Sequence, residues 1–352
     1  MQEAFSAISV TVIVAAYNHE PYIRDCLEGI VRQKTDFAFE AIVHDDASTD
    51  GTADIIREYA STYPEIIVPL IEVENQLSRG SQAFEGIALP TIHGRYLAYC
   101  EGDDYWFDSG KLQAQFDFME AHRDYALCLH NGIVCDLYHG IDYLSEPVTR
   151  DCDKSCERLI AEGGGLLNFT GSFFIRRACD DPQIEHRCSA RDHFEMIKLA
   201  SRGRVRWLSR PMSVYRWGVA GSWTDRQSKS DIERTRCHVA SRVEALEIHD
   251  RATKGTYHEA FERRIAFERS RLNEAERLQQ LAARPTAVSR LLCRTVPLRN
   301  RLSVVLRELL PTGVDRALRR MIWMRRLSAG KTLVSRKNQS YLGRLLRGSD
   351  ES

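Results

Sequence analysis

The chain lacks the features that mark membrane-spanning proteins, secreted proteins and proteins stabilised by structural zinc. It has no run of 18 or more apolar residues, and its start lacks a charged region followed by an apolar stretch and a cleavage site. Its ten cysteines form no CxxC pair, and the wider spacings of Cys152 with Cys156 and of Cys179 with Cys188 fit structural zinc poorly. We therefore expect a cytoplasmic protein without structural metal.

Glycine-rich phosphate loops are also missing. The glycines at 163–165 have neither the GxGxxG nor the GxxxxGK[ST] spacing, and they do not join a strand to a helix. The sequence therefore holds no dinucleotide fingerprint and no P-loop.

The composition is that of a globular protein whose charge is divided unevenly along the chain. Of 352 residues, 43% are hydrophobic and 28% are charged, with a formal net charge of zero. Residues 284–352 contain 16 Lys and Arg against 4 Asp and Glu, a net charge of +12, so residues 1–283 carry −12. We expect one large acidic domain over 1–228, a helical hairpin over 229–283 with a break near Lys254-Gly255, and a basic amphipathic tail over 284–352.

Alternating strand and helix patterns predict an α/β domain. Apolar β-branched runs indicate strands, and apolar residues at helical spacing indicate helices between them. The predicted strands are 9–16, 39–43, 65–73 and 95–100, and the predicted helices are 22–33, 53–63, 82–89 and one around 112–119. Beyond residue 125 the pattern predicts strands at 126–130, 132–137, 171–176 and 205–208 and a helix at 192–201. This order predicts a doubly wound sheet with right-handed crossovers.

Acidic residues follow two of the predicted strands. Asp45 and Asp46 end one apolar run, and Glu101, Asp103 and Asp104 end another. Ligands of open α/β sheets bind outside the carboxyl ends of the strands, and clustered carboxylates suit a hard divalent cation that holds phosphates. Adjacent carboxylates repel unless a cation, a base or solvent separates them. The sequence therefore predicts a nucleoside-diphosphate site, whereas Asp50, before a helix, is interpreted as turn material.

Several segments together resemble family 2 glycosyltransferases of the GT-A fold, from about residue 8 to 225. The resemblance implies an α/β fold, Rossmann-like, with a mixed sheet flanked by helices and, in this chain, a helical C-terminal extension. The matching segments are Val12 to Asn18, Asp45 to Gly51, Glu101 to Trp106, Asp192 at a helix start, Tyr215-Arg216, and Gly221 to Trp223.

The resemblance implies roles for residues around the donor nucleotide. Ala15 and Tyr17 would border the base and ribose, and Asp46, together with Asp45, would accept hydrogen bonds from them. Arg79, in a loop after the third strand, would lie beside the base. The Glu101-Gly102-Asp103 segment stands in the place of the family's Asp-x-Asp motif.

The same resemblance implies a metal-dependent transfer. Asp103 and Asp104 would face Mg²⁺ or Mn²⁺ and the diphosphate. Trp106 would line the acceptor pocket, although an aromatic at a strand end is also ordinary core material. Asp192 would be the base, with Glu195 as the alternative, because a helix start favours a carboxylate. The chain has no His in Trp217-Gly218-Val219, where many relatives have one, so Arg216 or Trp223 would substitute; Arg216 could instead be a structural ion-pair partner.

The expected activity is sugar transfer from a nucleoside-diphosphate donor, with a UDP-sugar favoured, to an acceptor hydroxyl with inversion. A saccharide or lipid-linked acceptor in bacterial cell-surface polysaccharide or glycan assembly follows from the family. Leucines, Trp323 and arginines alternate in the tail, which predicts contact with an anionic membrane at its inner face or packing on the catalytic domain. No nucleic-acid partner is expected. A nucleotidyltransferase and a non-catalytic sugar- or nucleotide-binding module are the alternatives.

Overall fold

The computed structural model describes residues 7–76, 92–164, 167–180, 190–228 and 231–283. The described residues form one ten-stranded mixed sheet with helices packed against it. The predicted helix at 82–89, Arg79, Cys188 and the basic tail lie outside the described residues.

The strands and helices alternate through the first part of the chain. They are β1 (Val10–Ala16), α1 (Ile23–Val31), β2 (Phe39–Asp45), α2 (Thr52–Thr62), β3 (Ile67–Ile71), β4 (Tyr96–Glu101), β5 (Tyr105–Trp106) and α3 (Lys111–Ala121). The second part contains β6 (Tyr125–Asp136), β7 (Ile141–Leu144), β8 (Cys152–Lys154), α4 (Cys156–Glu162), β9 (Phe174–Arg176), α5 (Arg191–Ala200), β10 (Arg204–Trp217), α6 (Trp223–Ser228), α7 (Ile232–Ala252) and α8 (His258–Ala282).

Four parallel strands form the first half of the sheet, in the order β3-β2-β1-β4. Residues of β1 and β2 are buried on both faces, which explains the continuously apolar runs in the sequence. The register places Ala15 between His44 on β2 and Glu101 on β4. The two predicted acidic strand ends therefore meet at one edge of the sheet, on either side of the end of β1.

The second half of the sheet is mixed. Strand β9 runs antiparallel to both β4 and β6, β6 pairs with β10 in parallel, and β5 lies antiparallel to β10 at the far edge. The doubly wound pattern that the alternation of strands and helices predicts therefore corresponds to the first four strands. The mixed sheet expected from the family resemblance is confirmed.

One predicted break between strands is wrong. The segments 126–130 and 132–137 form a single strand, β6, because the Asn131 side chain bonds within the sheet instead of starting a turn. Its amide oxygen accepts hydrogen bonds from the Ser145 hydroxyl at 2.8 Å and from the Glu146 backbone N–H at 3.2 Å. Strand β10 is likewise longer than predicted, with bulges between Leu208 and Ser213.

Helices α7 and α8 form the hairpin that the sequence predicts, with the turn at Lys254-Gly255 in left-handed backbone conformations. Leu246 and Ala245 of α7 and Phe261 and Ile265 of α8 share a buried cluster with Phe194 of α5. The hairpin is thus packed on the helix that begins with the candidate base. No helix within the described ranges is long and apolar enough to cross a membrane.

Candidate active site

Three carboxylates converge where β4 ends. One oxygen from each of Glu101, Asp103 and Asp104 lies within 4.8 Å of the other two. Among the described residues, no other group of three or more Asp, Glu, His or Cys side chains is arranged in this way. Asp103 and Asp104 are 6% and 2% exposed. Burial, followed by repulsion from Asp103 and Asp192, raises the pKa of Glu101 to about 8. Burial, followed by repulsion from Asp103 and Glu101, raises the pKa of Asp104 well above its usual value.

This cluster fits a divalent cation. Mg²⁺ and Mn²⁺ prefer oxygen ligands, and carboxylates are the protein ligands that they take most readily. Two buried carboxylates and the partly buried Glu101 repel one another, and a cation would compensate their charge. A hydrogen bond from Thr170 to Glu101 only partly opposes this repulsion. The metal prediction therefore agrees with the chemistry of the site.

Arg216 of β10 holds the acidic turn in place. Its backbone N–H donates to Asp104 Oδ1 at 2.7 Å, and its guanidinium donates to the Asp103 carbonyl at 2.8 Å. The same guanidinium pairs with Asp25 of α1 and lies 4.6 Å from the centre of the Tyr105 ring. Of the two roles predicted for Arg216, the structural ion pair is the one that these contacts show.

The turn also packs closely on the loop after β1. A Cβ atom on Gly102 would lie 2.7 Å from His19 Nδ1, so only glycine fits there without displacing the imidazole. His19 Nε2 lies 3.9 Å from Asp103 Oδ2. The glycine between Glu101 and Asp103 thus lets the β1 loop approach the acidic cluster.

Asp192 lies in the first turn of α5 and faces the same cluster. It contributes to the raised pKa of Glu101 and, with the three clustered carboxylates, to that of Tyr215. A Cβ on Gly164 would lie 2.2 Å from Asp192 Oδ2, so the carboxylate rests against a backbone that carries no side chain. The predicted base and the predicted metal ligands are therefore brought together.

Glu195, the alternative base, is engaged elsewhere. Its carboxylate pairs with Lys198 Nζ at 2.8 Å, and the same ammonium pairs with Asp180. The Glu195 carboxylate is therefore held in an ion pair on its own helix.

The loops after β1 and β2 are joined by side-chain hydrogen bonds. Asp45 accepts from the Ser48 backbone N–H at 3.0 Å and from its hydroxyl, and Asn18 Oδ1 accepts from the Thr49 N–H at 2.8 Å. Asp50 accepts from the Thr52 N–H at 3.0 Å, as interpreted from the sequence. These bonds hold Asn18 and Ala47 at φ of 54° and 62°, a conformation that non-glycine residues rarely adopt.

The candidate nucleotide residues line this strained corner. Ala15 is the one exposed residue of β1, and Tyr17 is 43% exposed. Asp46 Oδ1 accepts from the Gln76 N–H at 2.6 Å, whereas Asp45 is fully buried and bonded to Ser48. Both carboxylates are thus buried and hydrogen-bonded within this corner, Asp46 at 7% exposed and Asp45 at 0%.

Trp106 does not lie in a pocket. Its side chain is 2% exposed and belongs to the main core, and the Lys111 ammonium lies 3.9 Å from its ring centre. The predicted acceptor-pocket position is corrected to the core position that the sequence left open. Trp223, by contrast, is 41% exposed at the start of α6, near the His238 ring.

Tyr215 was not singled out as a site residue from the sequence. Its pKa is raised well above the usual value, first by burial and then by Asp104, Glu101, Asp103 and Asp192. Its ring stacks on Phe169 with centroids 5.9 Å apart. The Tyr215-Arg216 motif was the sequence feature that could have indicated this residue. Only the fold shows that Tyr215 lies close to all four carboxylates.

Comparisons with known proteins identify the class. The model of the glycosyl transferase family 2 matches residues 11–179. An uncharacterized protein of Mycobacterium tuberculosis (strain H37Rv) is 34% identical over 244 residues, which is 67% of each chain. The UDP-Glc:alpha-D-GlcNAc-diphosphoundecaprenol beta-1,3-glucosyltransferase WfaP of Escherichia coli is 29% identical over 167 residues, 46% of this chain and 63% of WfaP.

A solved structure shares the fold. The crystal structure of S. aureus TarS 1-349 in complex with UDP-GlcNAc superposes with a TM-score of 0.55 at 19% identity, covering 92% of this chain and 93% of that one. The mixed sheet, the flanking helices and the acidic strand end are those of a GT-A glycosyltransferase. The chain belongs to the family 2 glycosyltransferases.

Proposed function

We propose that this glycosyltransferase moves a sugar from a nucleoside-diphosphate donor, a UDP-sugar, to an acceptor hydroxyl with inversion at the anomeric carbon. The observation that carries the proposal is the position of Asp192 beside the carboxylate cluster of Glu101, Asp103 and Asp104. WfaP by its name uses UDP-Glc, and TarS was solved with UDP-GlcNAc, which supports the choice of nucleotide.

The cluster would hold Mg²⁺ or Mn²⁺ through its carboxylate oxygens. When bound, such a cation offsets the negative charge that gathers on the departing diphosphate. Arg216 fixes the turn that carries Asp103 and Asp104, so the oxygens are ordered before the donor arrives.

Asp192 would accept the proton of the acceptor hydroxyl as that oxygen forms a bond to the anomeric carbon. The carbon's bond to the diphosphate oxygen breaks, and the nucleoside diphosphate leaves with the electron pair. Attack on the face opposite the diphosphate inverts the configuration. The first turn of α5 favours the ionised form of Asp192 through the helix dipole.

At the nucleotide end, Asp46 would accept hydrogen bonds from the base or ribose, with Ala15 and Tyr17 bordering them. The strained corner at Asn18 and Ala47 supports this assignment, because backbone strain of this kind is typical of ligand sites. We also propose that Arg79 lies beside the nucleotide base. Trp223 would lie toward the acceptor, since it is exposed near the end of β10.

The acceptor is proposed to be a saccharide or a lipid-linked saccharide in bacterial cell-surface polysaccharide assembly. WfaP by its name acts on a diphosphoundecaprenol-linked sugar, and a further relative is a putative teichuronic acid biosynthesis glycosyltransferase, TuaG of Bacillus subtilis. A basic tail at an anionic membrane surface would bring the enzyme to such an acceptor. Flotation of the full chain with anionic liposomes, compared with a chain ending at Ala283, tests the tail: equal flotation contradicts this role.

The test of the whole proposal is a donor screen. Purified protein is incubated with Mn²⁺ and UDP- or GDP-sugars in turn, and released nucleoside diphosphate is measured with and without chelator. We expect release from one UDP-sugar, abolished by chelator, and NMR of the product to give the inverted anomer. Release of a sugar 1-phosphate in place of the nucleoside diphosphate would indicate nucleotidyl transfer, and donor binding without turnover would indicate a non-catalytic module.

A further inference from the structure

A buried set of charged side chains connects the helical hairpin to the start of α5. We call it the hairpin network: Arg242 on α7, Arg264 and Glu268 on α8, and His193 on α5. Glu268 Oε1 accepts from Arg242 Nε at 3.0 Å, from Arg264 Nε at 3.1 Å and from Arg264 Nη2 at 2.7 Å. All four side chains are less than a tenth exposed. Buried ion pairs are weak evidence for stability, so this network calls for another explanation.

The first connection runs through His193, which directly follows Asp192. Arg242 Nη2 lies 3.2 Å from His193 Nδ1, and His193 Nε2 lies 3.1 Å from the Leu159 carbonyl oxygen. Burial and the two nearby guanidiniums lower the pKa of His193 well below its usual value, so the ring is neutral. A neutral ring has one donor and one acceptor, so Nδ1 accepts from Arg242 while Nε2–H donates to Leu159. The ring is thereby fixed from both sides.

The second connection runs through the turn after α4. Arg264 Nη1 donates to the Ala161 carbonyl at 2.7 Å. A Cβ on Gly163, which has a φ of +79°, would lie 3.0 Å from Arg264 Nη2, and one on Gly164 would lie 2.2 Å from Asp192 Oδ2. The two glycines thus lie between the Arg264 guanidinium and the Asp192 carboxylate.

We propose that the hairpin network positions Asp192, with Arg242 acting through His193 and Arg264 acting through the Gly163-Gly164 turn. The inference rests on the proposed function, in which Asp192 takes the acceptor proton. Arg242 and Arg264 are positioning residues, since their contacts reach Asp192 only through other groups. Precise placement matters because a displacement of about 1 Å at a reacting group can cost about 10²-fold in rate.

The test compares Arg242→Met with Arg236→Met. Arg236 also joins α7 to α8, through Glu276 at 2.8 Å, but on the exposed side of the hairpin. For Arg242→Met we expect kcat to fall about tenfold or more with the donor KM within about twofold of wild type. For Arg236→Met we expect both constants unchanged. A wild-type kcat in folded Arg242→Met overturns the proposal.

A double-mutant cycle separates positioning from a general structural effect. In an Asp192→Asn background, Arg242→Met should cause no further loss of kcat, because its target is already gone. An equal loss in both backgrounds overturns the proposal while leaving the base assignment standing. A wild-type rate for Asp192→Asn alone overturns the base assignment and this inference with it.

A milder variant covers the case in which Arg242→Met does not fold. Arg242→Lys keeps a positive charge beside Glu268 but loses the planar fork that reaches Glu268 and His193 together. Circular dichroism establishes that the variant is folded, and we expect a reduced kcat at an unchanged donor KM. A wild-type kcat in both Arg242→Lys and Arg264→Lys overturns the proposal.

Discussion

Arg216 and Asp104, 112 residues apart in sequence, are joined by a backbone N–H to carboxylate bond of 2.7 Å. The bond fixes the acidic turn after β4 to strand β10, and the Arg216 guanidinium adds a bond to the Asp103 carbonyl. Two of the three carboxylates that would hold a cation therefore depend on one residue from the other half of the sheet. The order of the acidic turn is a product of the whole fold.

Replacing Arg216 with Met should weaken cation-dependent activity. The backbone bond to Asp104 is kept, but the contacts to the Asp103 carbonyl and to Asp25 are lost. We expect the Mn²⁺ concentration for half-maximal turnover to rise and the free energy of unfolding to fall by about 1 to 3 kcal/mol. Turnover across a Mn²⁺ titration and urea unfolding measure the two effects. Arg24→Met, which removes an exposed pair with Glu58, is the control, and an equal shift in both variants contradicts the assignment.

Replacing Asp103 with Asn should abolish turnover without unfolding the chain. The amide keeps the shape of the side chain but removes one charge from the cluster, so turnover should fall at least about 10²-fold. In chelator, its melting temperature should equal or exceed that of wild type, because Asp103 raises the pKa of both neighbours by repulsion. If Asp103→Asn keeps wild-type turnover and chelator does not reduce it, the metal assignment is wrong.

Glu101 should make the stability of the metal-free protein fall as pH rises. Its folded pKa of about 8 lies above the ordinary value of 4.5, so the folded state holds a proton that the unfolded state lacks between these pH values. The stability linked to this proton is present below pH 4.5 and is lost as pH rises through 8. Urea unfolding in chelator at pH 5 and pH 8.5 should show a decrease in wild type that Glu101→Gln reduces. Equal decreases in both proteins would contradict the raised pKa.

Asp192→Asn should reduce the transfer rate far more than donor binding. The amide cannot take a proton, and a general base contributes about 10² to 10⁴-fold in rate. Glu195→Gln is the matched control on the same helix, since Glu195 pairs with Lys198, and its rate should stay within a fewfold of wild type. Donor affinity from calorimetry and kcat from product formation separate the effects. A near-normal rate with lost donor affinity would make Asp192 a binding residue.

The sequence predicted the parts of the site that local pattern determines. The apolar run of β1, the acidic end of β4 and Asp192 at the start of α5 each show a local signature, and the structure places them together. Trp106 shows why other positions could not be assigned. An aromatic after a strand can face a cleft or the core, and only the packing of α1 and Lys111 around it decides between them.

Contacts between residues far apart in sequence also could not be predicted from local pattern. Asn131-Gly132 has the composition of a turn, but partners at Ser145 and Glu146 keep it within β6. The hairpin network could not be predicted for the same reason, since Arg242 and Glu268 look like ordinary surface charges of a helix. Only the packing of the hairpin on α5 buries them.

Replacing Lys111 with Met should stabilise the protein, most of all at low pH. The ammonium is fully buried, donates to Gln115 Oε1 at 2.8 Å, and burial lowers its pKa to about 7 from 10.5. Between these pH values the unfolded chain binds a proton that the folded protein lacks, so this lysine makes the free energy of unfolding rise with pH by up to about 1.4 kcal/mol per unit. Met removes that dependence and the cost of burying a charge, against about 1 kcal/mol for the lost hydrogen bond.

Urea unfolding at pH 6, 8 and 9.5 measures the difference between wild type and Lys111→Met. We expect the variant's advantage to be largest at pH 6 and to shrink toward pH 9.5, because the proton that the wild-type lysine must lose on folding is removed more easily as pH approaches the ordinary pKa of 10.5. Lys34→Met changes an exposed lysine just after the end of α1 and should follow wild type at every pH. Parallel curves for wild type and Lys111→Met would mean that water reaches the ammonium, and the buried position beside Trp106 would then be wrong.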